Sequence, residues 1–226
     1  MAYMVCAEES EGRWIAHVPD LPGCFVTSEN REQAIQAIPG AVEAYFSWCE
    51  GHGLRVSGLS GPMVVAEVIR TWESEDGYEV NAFFASDRPS LIEDELPQFE
   101  LLLAATRADL LRAVEGLDQD NLTREFPEER WSIAGILMHV ARAELWYLDR
   151  MALAFPNTKL PGEHFECLAK VREYMLANLP ALAKRTGVVT LSGETWSARK
   201  VMRRALWHER DHTEHIGKLR TQLPQW

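Results

Sequence analysis

The chain has 226 residues, 46% hydrophobic and 25% charged, with a formal net charge of −11. That composition excludes a disordered chain and suits one large domain or two modest ones, and no apolar run approaches the roughly eighteen residues a membrane span needs. The acidity is concentrated in residues 1–95, which hold 17 acidic against 5 basic side chains, a surface that repels phosphate backbones and excludes nucleic acid as an expected partner.

Taken in chain order, "YMVCAEES" and "GRWIAHVPD" alternate and are separated by Ser10-Glu11-Gly12, which predicts a β-hairpin. "LPGCFVTS" predicts a Pro/Gly turn and a third strand. In "NREQAIQAIPGAVEAYFSWCEGHG" the residues Ala34, Ile38, Ala41, Val42, Tyr45 and Phe46 recur at three and four, predicting one helix that Pro39 kinks and Gly51 and Gly53 end. "LRVSGLSGP" is loop-like. "MVVAEVIRTW" and "GYEVNAFFAS" predict two strands joined by a turn at "ESEDG". Residues 1–88 therefore form an α+β domain of β-β-β-α-β-β order.

Near "SDRPS" the period shifts from two to 3.6, which sets a boundary between Ser86 and Leu91. Leu96, Phe99, Leu102, Leu103, Leu110, Leu111, Val114 and Leu117 form the stripe of a first long helix, with Pro97 in its first turn. Ser132 caps a second, which ends before Pro156; a third runs from about Glu163 to Arg185, and Ser197 caps a fourth that ends near Gln222. Residues 89–226 thus predict a four-helix bundle. Trp131-Ser132 and Trp196-Ser197 both stand at helix starts, as staple and cap. Arg199, Lys200, Arg203 and Arg204 make a basic start to the fourth helix, expected to be solvated.

The four cysteines, Cys6, Cys24, Cys49 and Cys167, match no disulfide framework and no C-x-x-C pattern. With no secretory signal at the N-terminus, a reducing cytoplasm is the expected compartment. Cys167 on the third helix is expected to be packing. Asp20 with Glu8 or Glu43 is a weak carboxylate set.

The chemistry concentrates in "ALWHERDHTEHI". His208 and His212 are four apart on a helix, so both imidazoles meet one point, and His215 shares that face. A His-x-x-x-His pair suits zinc or a similar divalent ion, but two ligands make a weak site. His139, inside the apolar run "IAGILMHVA" of the second helix, is the candidate third ligand. His17, His52 and His164 fit less well. The residues by themselves leave open a solvated helix face and a hydrogen-bonded core histidine.

"RWSIAGILMHVARAELWYLDRM" followed by "RKVMRRALWHERDHTEHIGKL" resembles the DinB/YfiT-like family of metalloenzymes over about residues 91–226. That resemblance implies metal ligands at His139, His208 and His212, with His215, Glu209, Asp211 and Glu144 as candidates to orient them, since metal-bound imidazoles donate their other N–H to an acceptor. The segment "GRWIAHVPDLPGCFVTSENREQAIQAIPGAVEAYFSWCEGHG" looks like the HicB antitoxin family, which implies a small β-β-β-α-β domain similar to a degenerate ribonuclease H core. The DNA-binding tail usual in that family has no counterpart here. Together the resemblances imply a metal-dependent enzyme, monomer or homodimer, whose zinc or nickel activates water or a low-molecular-weight thiol for hydrolysis or S-transfer and isomerisation. The alternative is a metal-stabilised binding protein whose acidic N-terminal domain contacts another protein.

Overall fold

The computed structural model describes residues 2–56, 58, 61–74, 77–156 and 159–224. It is a mixed α+β structure of two units: Met1–Ser90 with Thr186–Arg203, and Leu91–Arg185 with Arg204–Trp226.

Unit 1 is built on a four-stranded sheet. Strands β1 (Tyr3–Ser10) and β2 (Arg13–His17) form the expected hairpin, turned by Glu11 and Gly12 at φ 51° and 74°. β3 (Phe25–Ser28) pairs antiparallel with β2, and β4 (Met63–Arg70) returns parallel to β1, giving the order β3-β2-β1-β4. Between β3 and β4 the single expected helix is two: α1 (Arg31–Gln36), capped by Asn30, and α2 (Ile38–Gly51). Pro39 sits in the first turn of α2, where its missing N–H costs nothing, so the chain restarts a helix there rather than kinking one. Val5, Ile15, Ala34, Ile38 and Tyr45 are buried in this unit, and Tyr45 donates its hydroxyl proton to the Pro22 carbonyl at 2.9 Å.

The strand expected at "GYEVNAFFAS" shrinks to β6 (Glu79–Val80), which pairs with β5 (Trp72–Glu73). Downstream, the backbone donors go to carboxylates instead of a ladder: Ala82 N–H to Glu8 at 3.0 Å, Phe84 N–H to Asp87 at 3.0 Å and Ala85 N–H to Glu67 at 2.7 Å. The middle of the Glu73–Gly77 turn and part of the 54–62 loop lie outside the described residues.

A hairpin that the sequence reading did not assign completes unit 1. β7 (Val189–Leu191) and β8 (Glu194–Trp196) are joined by Ser192 and Gly193 at φ 49° and 82°, and lead into α7 (Ala198–Arg220). The division at 88/89 assigns Thr186–Arg203 to the bundle; the segment packs in unit 1 because it carries cations that unit's buried carboxylates require. Lys200, wholly buried, donates to Glu194 at 2.8 Å and to the carbonyls of Asn81 and Thr195. Arg203 donates to both Asp87 oxygens at 2.8 and 2.9 Å and to Glu8 at 3.3 Å. The basic start of α7 is therefore not solvated, for Lys200, Arg203 and Arg204 are all buried. Glu8 is committed to His17 and Arg203, and Glu43 is exposed on α2, so Asp20, Glu8 and Glu43 form no carboxylate set.

Unit 2 holds the other helices. α3 (Leu96–Ala113) has Pro97 in its first turn, and the short α4 (Gln119–Thr123) follows it, capped by Asp118. α5 (Ile133–Arg150) is capped by Ser132, whose hydroxyl accepts from Gly135 N–H at 3.2 Å. α6 (His164–Ala183) is capped by Glu163 and carries Pro180 near its end. From Arg204 onward α7 belongs to this unit. The core joins Leu110, Ile133, Ile136, Leu137, Val140, Cys167, Leu168, Val171 and Ile216, so Cys167 is a packing residue. No helix among the described residues is long and apolar enough to cross a membrane.

Candidate metal centre

α5 and α7 bring three imidazoles together. His139 stands two turns inside the capped start of α5, on the face that carries Ile136 and Val140 into the core. His208 and His212 stand one turn apart on α7. His208 Nε2 lies 3.0 Å from His139 Nε2 and 3.1 Å from His212 Nε2, and all three ligand atoms fall within 4.8 Å of one another. Among the described residues this is the one group of three or more His, Cys, Asp or Glu donors with metal-ligand spacing.

The spacing fits an ion. Nitrogen ligands at about 2.0–2.1 Å from a tetrahedral ion are about 3.3–3.4 Å apart. His208 Nε2 is common to both short contacts and has one proton or one lone pair to offer two neighbours, so hydrogen bonding serves the trio less well than a cation does. The His139 imidazole is held below its ordinary pKa, chiefly by burial and further by the Arg130 charge, which favours the neutral form that can coordinate.

Aromatic side chains frame the trio. Trp131 stacks on His139 with ring centres 4.3 Å apart and planes inclined by 22°. Gly135 permits this, because a Cβ there would stand 3.0 Å from Trp131 Cβ. Tyr147 meets His208 edge-on at 6.0 Å.

Three of the residues expected to orient the ligands, Glu144, Glu209 and His215, have other partners. Glu144 and Glu209 are buried in an ionic network with Arg107 and Arg172: Arg172 donates to Glu144 at 2.9 and 3.0 Å and to Glu209 at 2.7 Å, and Arg107 and Thr106 also donate to Glu209. Neither carboxylate is bonded to an imidazole among the described residues. His215 lies outside the trio and pairs with Glu129 at 3.0 Å. Asp211 is buried on α7. Away from the centre, His17 pairs with Glu8 at 2.9 Å, the His52 ring lies 5.2 Å from the Trp48 ring, and His164 lies against Glu163 and Phe165.

Sequence reasoning took Trp131 as a helix staple only; its spacing of eight from His139, with a glycine midway, was the available signal for the stack. Arg107 and Arg172 gave none, because each interrupts an apolar stripe that a solvated arginine would interrupt equally.

The family model of the DinB superfamily matches residues 102–216. No curated protein and no solved structure matches the chain. The matched stretch spans just over half of the sequence and contains His139, His208 and His212, and the chain belongs to the DinB superfamily.

Proposed function

We propose that His139, His208 and His212 hold a divalent ion, zinc or nickel, and that the chain is a metal-dependent enzyme acting on a small molecule. The observation that carries this reading is the convergence of three Nε2 atoms from two helices within 4.8 Å. When bound, such an ion lowers the pKa of a coordinated water toward about 7 or takes up a thiolate, chemistry suited to hydrolysis or to S-transfer and isomerisation with a low-molecular-weight thiol. The chain's own residues prepare that chemistry. Burial and Arg130 favour the neutral form of His139. Trp131 covers a face of the His139 ring and keeps water from it. Glu209, next to His208, ties that turn of α7 to α3 and α6 through Arg107 and Arg172.

For unit 1 we propose the HicB likeness. It is supported by the β-β-β-α-α-β course and by the turn between Val18 and Cys24, where Val18 N–H donates to the Cys24 carbonyl at 3.1 Å. A second reading, a metal-stabilised binding protein, is favoured by the exposed Val64, Val65 and Val68 on strand β4 of the acidic unit. Under that reading metal removal lowers the melting temperature and no turnover accompanies metal loading.

Untagged protein equilibrated with zinc or nickel and then desalted should retain about one ion per chain by atomic emission. His139→Ala should lose it at the same free-metal concentration. A full complement in His139→Ala overturns the three-histidine centre.

A further inference from the structure

The three-histidine centre gathers positive charge that its own ligand set does not offset. Three neutral imidazoles bring no negative charge to a divalent ion. Three of the neighbouring carboxylates are committed: Glu144 and Glu209 to Arg107 and Arg172, and Glu129 to His215. Arg130 then adds a further cation. Its guanidinium lies 4.6 Å from the centre of the Trp131 ring, and the Trp131 ring is stacked 4.3 Å from that of His139. The charge is thus two ring spacings from a ligand. Arg130 is exposed and has no acidic partner among the described residues.

A guanidinium lying on an indole is steadied by the ring beneath it, while its N–H donors point outward in the guanidinium plane. Those donors match the two oxygens of a carboxylate. We propose that Arg130, steadied by Trp131, is a specificity-determining residue: it selects small acids that put one donor on the ion and a carboxylate on the guanidinium. The proposal rests on the reading of His139, His208 and His212 as a metal site. It extends that reading from a centre of unspecified substrate to one that prefers dianionic ligands. Because Arg130 is open to water, the selection is moderate and weakens as salt is added.

The test uses the full chain loaded with cobalt(II), whose visible absorption reports ligand exchange. Malonate, succinate and glutarate are titrated at low ionic strength against their monomethyl esters. At least one diacid should bind about tenfold more tightly than its monoester, the size of one charged hydrogen-bonded contact. In Arg130→Gln that preference should fall to within about twofold at equal cobalt content, and Arg130→Lys should restore part of it by charge without the planar fork. Equal preferences in the wild type and Arg130→Gln, or no preference for any diacid, overturn the role of Arg130. Absence of bound cobalt overturns the metal reading and this one with it. A full cobalt complement without an Arg130-dependent preference overturns this one alone.

Discussion

At the scale of single residues, the network behind the histidines decides which side chains are charged. Burial alone would raise the Glu209 carboxyl, but Arg172 and Arg107 outweigh it, with the Thr106 hydroxyl assisting, and hold it below the usual carboxylate range. Burial likewise opposes the charge on Arg172, yet Glu144 and Glu209 hold its pKa above the ordinary value. The folded carboxyl of Glu209 thus titrates lower than the roughly 4.3 of an unfolded glutamate. Its contribution to stability is fully present above about pH 4.3 and is lost as the pH falls through the lowered folded value. Urea unfolding followed from pH 7 to pH 3 should therefore show the wild type losing stability below about pH 4.5. Glu209→Gln should be less stable at pH 7 and flatter across the acid range, because its amide does not titrate while Arg107 and Arg172 have lost a counter-charge. Parallel curves for the two proteins would show that Glu209 does not carry the acid sensitivity.

At the scale of elements, the start of α5 combines a cap, a gap and a stack. Ser132 accepts the Gly135 N–H, Gly135 leaves room for the Trp131 Cβ, and the indole reaches forward onto His139. A glycine inside a helix normally costs about 1 kcal/mol relative to alanine. Gly135→Ala should not recover that gain, because the new methyl meets Trp131 Cβ, which its own backbone fixes. The indole should instead move off His139, and the His139 ring protons should shift downfield in NMR spectra as the ring current over them weakens. An alanine variant about 1 kcal/mol more stable with an unchanged His139 spectrum would show that the glycine is dispensable to the stack. The same Trp131 ring carries the Arg130 guanidinium, so a shift of the indole would also move the group proposed to select ligands.

At the scale of the whole molecule, unit 1 is discontinuous: its sheet comes from the first ninety residues and essential cations from Thr186–Arg203. A fragment of residues 1–90 retains Glu8 and Asp87 but lacks Arg203, their buried partner. Leaving a buried carboxylate unpaired costs about 3–5 kcal/mol, a large share of the stability of a small domain. The fragment should not unfold cooperatively in urea by circular dichroism, and a sharp transition like that of the full chain would count against this account. Much was nevertheless legible locally. The first hairpin followed from alternation around Glu11-Gly12, the long helices from a 3.6-residue period with Ser132 and Ser197 as caps, and the His208–His212 pair from a spacing of four. These signals act within one or two turns, so neighbouring residues suffice to determine them. The burial of Lys200 and Arg203, the truncation of the strand after Tyr78, the hairpin of β7 and β8 within unit 1, and the meeting of His139 with α7 were decided only in the tertiary structure. Partners far along the chain take part in these: Asn81 stands 119 residues from Lys200, Glu8 195 from Arg203 and 74 from Ala82, and His208 69 from His139. A charge such as that of Arg203 has the same local pattern whether water or a distant carboxylate surrounds it, and only the folded chain supplies the carboxylates of Glu8 and Asp87.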